Sequence, residues 1–217
     1  MNVDGLMKRD QQRADAYRLL SACFCLPENR LFADENVYRA LRNALGELAP
    51  AAATHVAGAQ KAAAAEQGEA LLVEYARLFV GPQHLAAPPY GSIYLDQGRA
   101  VMGESTQRVV ARYREEGLAV DDDFHELPDH ITVELEFLYF LISRELEAFA
   151  DGDSTVAVEY LCKQKRFLAD HLLGWAPEFC ERVQTNAELP HYALLARCLE
   201  AFLEDSERPL EVPFAAG

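Results

Sequence analysis

No stretch of this chain is long and apolar enough to cross a bilayer. The most apolar run, residues 137–142, falls far short of the roughly 20 residues a span requires. Glycine and proline are sparse, 12 and 10 of 217 residues, which excludes a fibrous or low-complexity protein. Basic residues are in the minority: 20 Lys and Arg face 35 Asp and Glu, a formal net charge of −15. Such a surface repels phosphate backbones and anionic lipid, so nucleic acid and membrane are poor partners and a cationic partner is favoured. The five Cys are an odd number with no CxxC pair. Cys23 and Cys25 lie two apart, which on a helix turns them to different faces. The thiols therefore read as free, mostly buried and kept in a reducing compartment. Residues 1–17 hold Lys8, Arg9, Asp10 and Arg13 without the apolar run of a secretory signal. The expected location is the cytoplasm.

What the chain does have is apolar content, 50%, and helical period. That much apolar surface excludes disorder, and the length fits one large domain. Residues 10–25 place Tyr17, Leu20 and Phe24 on one stripe and stop before Pro27. Residues 35–48 repeat the pattern with Val37, Leu41, Leu45 and Leu48. Residues 50–65 are rich in Ala but poor in large apolar side chains, which predicts a helix at the edge of the fold. Residues 69–80 carry a wide stripe of Leu71, Leu72, Tyr75, Leu78 and Phe79, which Gly81 and Pro82 terminate. The segment 82–100 has no helical period and holds Pro82, Pro88, Pro89, Gly91 and Gly98. An extended piece is expected at 92–95, and Tyr90, Ile93, Tyr94 and Leu95 argue for an ordered loop. Helix resumes over 103–116. A second loop, 118–128, precedes the longest helix, 130–150, which is apolar on most sides and so belongs at the centre of a bundle. Residues 154–173, 175–187 and 190–203 complete the set, and the tail 207–217 is expected to fray. The expected fold is all-α, a single globular bundle of about nine helices over residues 1–206.

Phosphate-loop and nucleophile-elbow patterns are absent. Gly103-Glu104-Ser105-Thr106 lacks the Lys and the second Gly of a P-loop, and there is no GxSxG. Ligand-type residues are dense at Asp121, Asp122, Asp123, His125, Glu126, Asp129, His130 and Glu134. His130 and Glu134, four apart, would share a helix face and could hold a metal. Helical metal phosphohydrolases look similar, but their His-then-Asp order is reversed in Asp129-His130. Nor do His55, His84, His171 and His191 show ligand spacing. A metal-dependent helical hydrolase and an all-helical protein adaptor stay as alternatives. Asp129 also has a purely structural reading. After Pro128 and before a long helix it is placed as an N-cap, with His130 as a neutral first helical residue beside the positive helix end. Leu78 and Phe79 likewise read as core, and Pro88-Pro89-Tyr90-Gly91 as a turn.

Two blocks carry a resemblance. Tyr75-Ala-Arg-Leu-Phe-Val-Gly-Pro82 is followed by Ala87-Pro-Pro-Tyr-Gly-Ser-Ile-Tyr-Leu-Asp96, and Pro128-Asp129-His130 by Glu134-Leu135-Glu136-Phe137. In order, spacing and helical character, over roughly residues 10–205, they resemble the TorD/DmsD/NarJ family of redox-enzyme maturation chaperones. The first block looks closest to the DmsD branch and the Glu-Leu-Glu helix to TorD. The resemblance implies a cytoplasmic chaperone that is not an enzyme and needs no cofactor. It would bind the twin-arginine signal peptide, or another part, of a molybdopterin oxidoreductase catalytic subunit. It would hold the apoenzyme until cofactor insertion and delay export until then. By motif match, Tyr75, Leu78 and Phe79 are expected to make the apolar contact and Pro128, Asp129 and His130 the polar one. The DmsD pattern separates the Pro from the Asp-His pair by one residue, whereas Pro128 adjoins Asp129 here. Further charge could come from Asp121, Asp122, Asp123 and Glu126, and further apolar contact from Tyr90. A charge-assisted bond to an arginine contributes roughly 1.5–3 kcal/mol when partly desolvated. The loop 82–100 could also act as a hinge, giving a homodimer by helix exchange.

Overall fold

The computed structural model describes residues 3–26, 35–66, 68–81, 85–98, 101–119 and 126–206. Pro82, Asp121, Asp122, Asp123, His125 and the tail 207–217 lie outside the described residues. The expected all-α bundle is what forms. Its helices are α1 (Val3–Phe24), α2 (Glu35–Leu45), α3 (Pro50–Ala65) and α4 (Gly68–Tyr75), the last running into a π-helical stretch, Ala76–Val80. Then come α5 (Ser92–Leu95), α6 (Glu104–Glu115), α7 (Ile131–Ala150) and α8 (Ser154–Asp170), followed by a 3-10 turn, Leu172–Gly174. The set ends with α9 (Ala176–Asn186) and α10 (Pro190–Ser206). The described residues include no β-strand, only an isolated antiparallel bridge between Tyr90 and His130.

Residues 92–95, expected to be extended, make a single helical turn instead. The N–H groups of Leu95 and Asp96 donate to the carbonyls of Gly91 and Ser92 at 3.0 and 3.1 Å. The chain can turn back here because Gly91 lets the backbone lie close against Trp175 and Glu134.

α7 is central, as its apolar girth required: it packs along α1 on one side and α8 on the other. A second assembly of α2, α3, α10 and α9 joins it through α1. α3 is not peripheral. Ala52, Ala53, Val56, Ala59 and Ala63 are buried, and the helix lies along α10. Small side chains let two helices approach closely, and at Gly58 an added Cβ would meet Leu194 at 3.2 Å. The heart of the fold is an aromatic cluster of Phe24, Tyr75, Phe79, Phe179 and Tyr192. Its rings are 5.0–6.4 Å apart, with edge-to-face and tilted pairings. It ties α1, α4, α9 and α10 together.

The cysteines are less buried than expected. Cys180 and Cys198 are buried, Cys23 and Cys25 are half-buried and Cys162 is exposed, all of them free thiols. Burial pushes Cys25 up to about 11 and Cys23 up to about 12, and raises Cys180 and Cys198 as well. These four stay protonated and unreactive near neutral pH.

Candidate functional site

The segment 85–98 is strapped across the start of α7. Ala87 N–H donates to the Leu78 carbonyl (3.0 Å), Ile131 N–H to the Pro89 carbonyl (2.8 Å) and Gly91 N–H to the Asp129 carbonyl (2.8 Å). The Tyr94 hydroxyl donates to the Pro88 carbonyl at 2.8 Å, and the Tyr94 ring stacks on Trp175 with centroids 5.5 Å apart. At its far end Asp96 accepts from the N–H and hydroxyl of Ser105, at 3.1 and 2.8 Å, and so caps α6. That carboxylate occupies the space where residue 103 would carry a Cβ, only 2.1 Å from Oδ2, so Gly103 has no room for a side chain.

Asp129 does not cap α7. His130 is the N-cap: its Nδ1 accepts from Thr132 N–H at 3.2 Å and lies 2.7 Å from Thr132 Oγ1. The helix begins at Ile131, one residue later than expected. Asp129 sits just outside, with no exposed surface, and its Oδ2 accepts from Ser92 N–H at 2.8 Å. The strap needs a buried acceptor at Ser92, and that need displaces Asp129 from the capping position. His130 is 2% exposed, and burial holds its imidazole down to about 3, so the ring is neutral.

Glu126 is the charged group at the mouth of this arrangement. Its side chain is 36% exposed. Oε2 accepts from the Tyr90 hydroxyl at 3.2 Å and lies 3.7 Å from His130 Nε2. The rings of Tyr90 and His130 meet edge to face at 5.2 Å. Burial, with the neighbouring carboxylate, pushes the half-buried Tyr90 phenol up to about 12, so it stays a donor. Tyr90, Glu126 and His130 thus come together. Pro128 lies beside them and acts through its carbonyl, which accepts from the Tyr113 hydroxyl at 2.9 Å.

Tyr75, Leu78 and Phe79 are 3%, 0% and 4% exposed. The π-helical wind of Ala76–Val80, closed by Gly81 N–H to the Ala76 carbonyl at 2.7 Å, sets these side chains into the aromatic cluster. Gly81 ends the stretch with φ of 34°, a conformation that favours glycine. In this conformation the three are core, and the outward face of the segment is Val73, Ala76 and Val80. π-helical turns concentrate at functional sites.

His130 and Glu134 do not share a face. Because His130 precedes the helix, its ring turns toward Glu126. Glu134 turns inward, is fully buried and accepts from Trp175 Nε1 at 3.2 Å through Oε2. Burial, reinforced by Asp129, raises Glu134 well above the usual carboxylate range, so it is a neutral acid. Among the described residues no group of three or more His, Cys, Asp or Glu side chains could hold a metal ion. The geometry a metal hydrolase would need at Asp129, His130 and Glu134 is not formed.

Several residues that build the site were not singled out by sequence reasoning. Trp175 presses on both Tyr94 and Glu134, and Glu74 is 3% exposed. Glu74 takes two bonds from Arg77 (2.8 and 2.9 Å) and accepts from the N–H groups of Glu188 and Leu189. It locks the π-helical stretch to the α9–α10 connection. A signal was available. Leu71, Glu74, Tyr75 and Leu78 follow an i, i+3, i+4, i+7 stripe, as do Ile131, Glu134, Leu135 and Leu138. A carboxylate on a core stripe is a buried carboxylate.

Comparison with known proteins adds four findings. The profile of the family described as nitrate reductase delta subunit matches residues 34–181. The chaperone protein TorD of Psychrobacter sp. (strain PRwf-1) is 25% identical over 209 residues, covering 92% of this chain and 91% of that one. The chaperone protein TorD of Aliivibrio salmonicida (strain LFI1238) is 29% identical over 147 residues, 68% of this chain and 65% of that one. Among solved structures, a protein from Archaeoglobus fulgidus assigned to redox enzyme maturation superposes with a TM-score of 0.56 at 26% identity. That match covers 88% of this chain and 93% of the other.

Proposed function

Since the chain belongs to the nitrate reductase delta subunit family, we propose that it is a maturation chaperone for a molybdopterin oxidoreductase. It binds the twin-arginine leader, the apo form of the catalytic subunit, or both. It assists cofactor insertion and holds back export until the enzyme is mature, acting in the cytoplasm and making or breaking no bond. The observation that carries this reading is the family match over residues 34–181, joined to the half-exposed carboxylate of Glu126 at the lip of the strap.

The chemistry at that lip suits a guanidinium. Glu126 offers charge, and the neutral His130 adds no repulsion. The Tyr90 ring gives a flat apolar wall, and the net charge of −15 steers a cationic leader toward the protein. We assign Asp129 a supporting role, because its carboxylate is enclosed and already holds Ser92 N–H. Tyr75, Leu78 and Phe79 are buried and would meet a leader only if the aromatic cluster opened. Leu26, 58% exposed and two residues past the Phe24 carbonyl that binds the Tyr75 hydroxyl, is the outward apolar neighbour.

The test is calorimetric titration of leader peptides from molybdoenzymes of the same organism. Binding should weaken as salt rises. Glu126→Gln should cost about 1–3 kcal/mol of affinity while leaving the melting temperature unchanged. Absence of leader binding at low salt, together with binding of the apo catalytic subunit, would move the contact to the mature enzyme.

A further inference from the structure

We propose that Ser92 Oγ, Asp129 Oδ1 and Glu134 Oε1 share one buried proton, and that this proton latches the strap 85–98 onto the start of α7.

The observation that carries the proposal is a set of three orphaned atoms. Ser92, Asp129 and Glu134 have no exposed surface, and Ser92 Oγ, Asp129 Oδ1 and Glu134 Oε1 have no hydrogen-bond partner. Buried polar groups in folded proteins are satisfied almost without exception, so these three require partners. They converge on one dipeptide. Ser92 N–H donates to Asp129 Oδ2 at 2.8 Å, and Gly91 N–H donates to the Asp129 carbonyl at 2.8 Å. Glu134 Oε1 lies 3.3 Å from the point where a Cβ on Gly91 would stand. With both carboxylates ionised, a single hydroxyl serves two acceptors and two like charges share a buried joint. One added proton completes the set: Glu134 Oε1–H donates to Ser92 Oγ, and Ser92 Oγ–H donates to Asp129 Oδ1. The other Glu134 oxygen already accepts from Trp175 Nε1 at 3.2 Å, which leaves Oε1 to carry the proton.

Burial and the Asp129 carboxylate raise Glu134, so the proton resides there. Its stabilising contribution is complete below the ordinary carboxylate value and is lost as pH rises through the raised one. The groups around the joint titrate elsewhere. Tyr113, from α6, donates to the Pro128 carbonyl, and burial raises it well above the usual phenol range. Tyr90, on the strap, is pushed up to about 12 and His130 is held down to about 3. Glu126 and Glu136 accept from Tyr90 and Ser21, and Arg182 of α9 lies over the Tyr94 ring that stacks on Trp175. Because the strap brings Tyr90 to Glu126, release of the latch also takes the lip apart.

The test is a pH titration of the chain with no leader present, so its outcome is independent of leader recognition. Trp175 is the single Trp and bonds Glu134 directly, so its indole N–H gives one NMR cross-peak that reports the joint. The cross-peak should move in one step above the ordinary carboxylate range. Exchange of the Ser92 amide hydrogen, corrected for its intrinsic pH dependence, should speed up over the same step. Glu134→Gln keeps a donor in that place and never ionises, so both changes should vanish. Ser92→Ala separates a shared proton from plain repulsion between the carboxylates. The hydroxyl makes two hydrogen bonds in the protonated joint and one in the ionised joint. Its removal should therefore lower the midpoint by about one pH unit, about a tenfold loss of proton affinity, whereas plain repulsion leaves the midpoint unchanged or raises it. If the Gln variant does not fold, the wild type and Ser92→Ala decide. Three results overturn the proposal: a cross-peak that stays in place until circular dichroism shows the fold lost, a step that leaves Ser92 exchange unchanged, or a midpoint in Ser92→Ala equal to or above that of the wild type.

Discussion

Glu145→Gln tests the buried polar joint between α1, α7 and α8. Glu145 is 1% exposed, and its Oε2 accepts from Gln164 Nε2 at 2.6 Å. Gln164 Oε1 accepts from Arg13 Nη2 at 3.0 Å, and Arg13 Nη1 donates to Asp10 Oδ1 at 2.7 Å. One guanidinium therefore serves two carboxylates, Asp10 directly and Glu145 through the Gln164 amide. Burial first, and then Asp10, push Glu145 up from 4.5 to about 7, against the pull of Gln164, Arg13 and Lys165. The folded state thus binds this proton more tightly than the unfolded chain. The stabilising contribution is complete below pH 4.5 and is lost as pH rises through about 7. A displacement of that size corresponds to at most about 3 kcal/mol. The substituted amide keeps an acceptor for Gln164 and never ionises. At pH 5 the variant should match the wild type within about 0.5 kcal/mol. At pH 8 it should be more stable by about 1–3 kcal/mol, a rise of roughly 2–10 °C in melting temperature for a chain of this size. Thermal and urea unfolding at the two pH values give the answer. An equal difference at pH 5 and pH 8, or a loss of stability at pH 8, would refute the titration of Glu145 as the cause.

Three further outcomes follow from the strap and its anchors. Asp129→Asn keeps the acceptor for Ser92 N–H, so melting temperature and leader affinity should both hold; Asp129→Ala strands that donor and should cost about 1–3 kcal/mol of stability. An Asn variant that weakens leader binding as much as Glu126→Gln does would place Asp129 in the contact after all. Gly91→Ala would put a Cβ 3.0 Å from Trp175 Nε1 and 3.3 Å from Glu134 Oε1, so it should disturb the indole–carboxyl bond. The expected effects are a changed emission from the single Trp and a loss of about 1–3 kcal/mol in urea unfolding. Glu74→Ala removes the acceptor shared by Arg77, Glu188 and Leu189 and should destabilise by about 1–3 kcal/mol, measured by urea unfolding, while Arg77→Lys should cost less.

The helices and their inward faces were legible in the residues alone, because a helix is closed by bonds four residues away and its buried stripe repeats with the same short period. Tyr17, Leu20 and Phe24 on α1, and Leu135, Leu138 and Ile142 on α7, are buried as their spacing required. The blocks that signalled the family were legible too. Pairings across long stretches of chain were not. Whether Asp129 caps a helix or holds a strap depends on Ser92, 37 residues earlier. Whether Glu134 faces a metal or an indole depends on Trp175, 41 residues later. The depth of α3 was hidden for a related reason: a run of small side chains fits a surface or a close helix contact equally well, and only the arrival of α10 decides between them. Local hydrogen bonding is written in neighbouring residues. The meaning of a buried polar side chain is set by the partner that the rest of the fold brings to it.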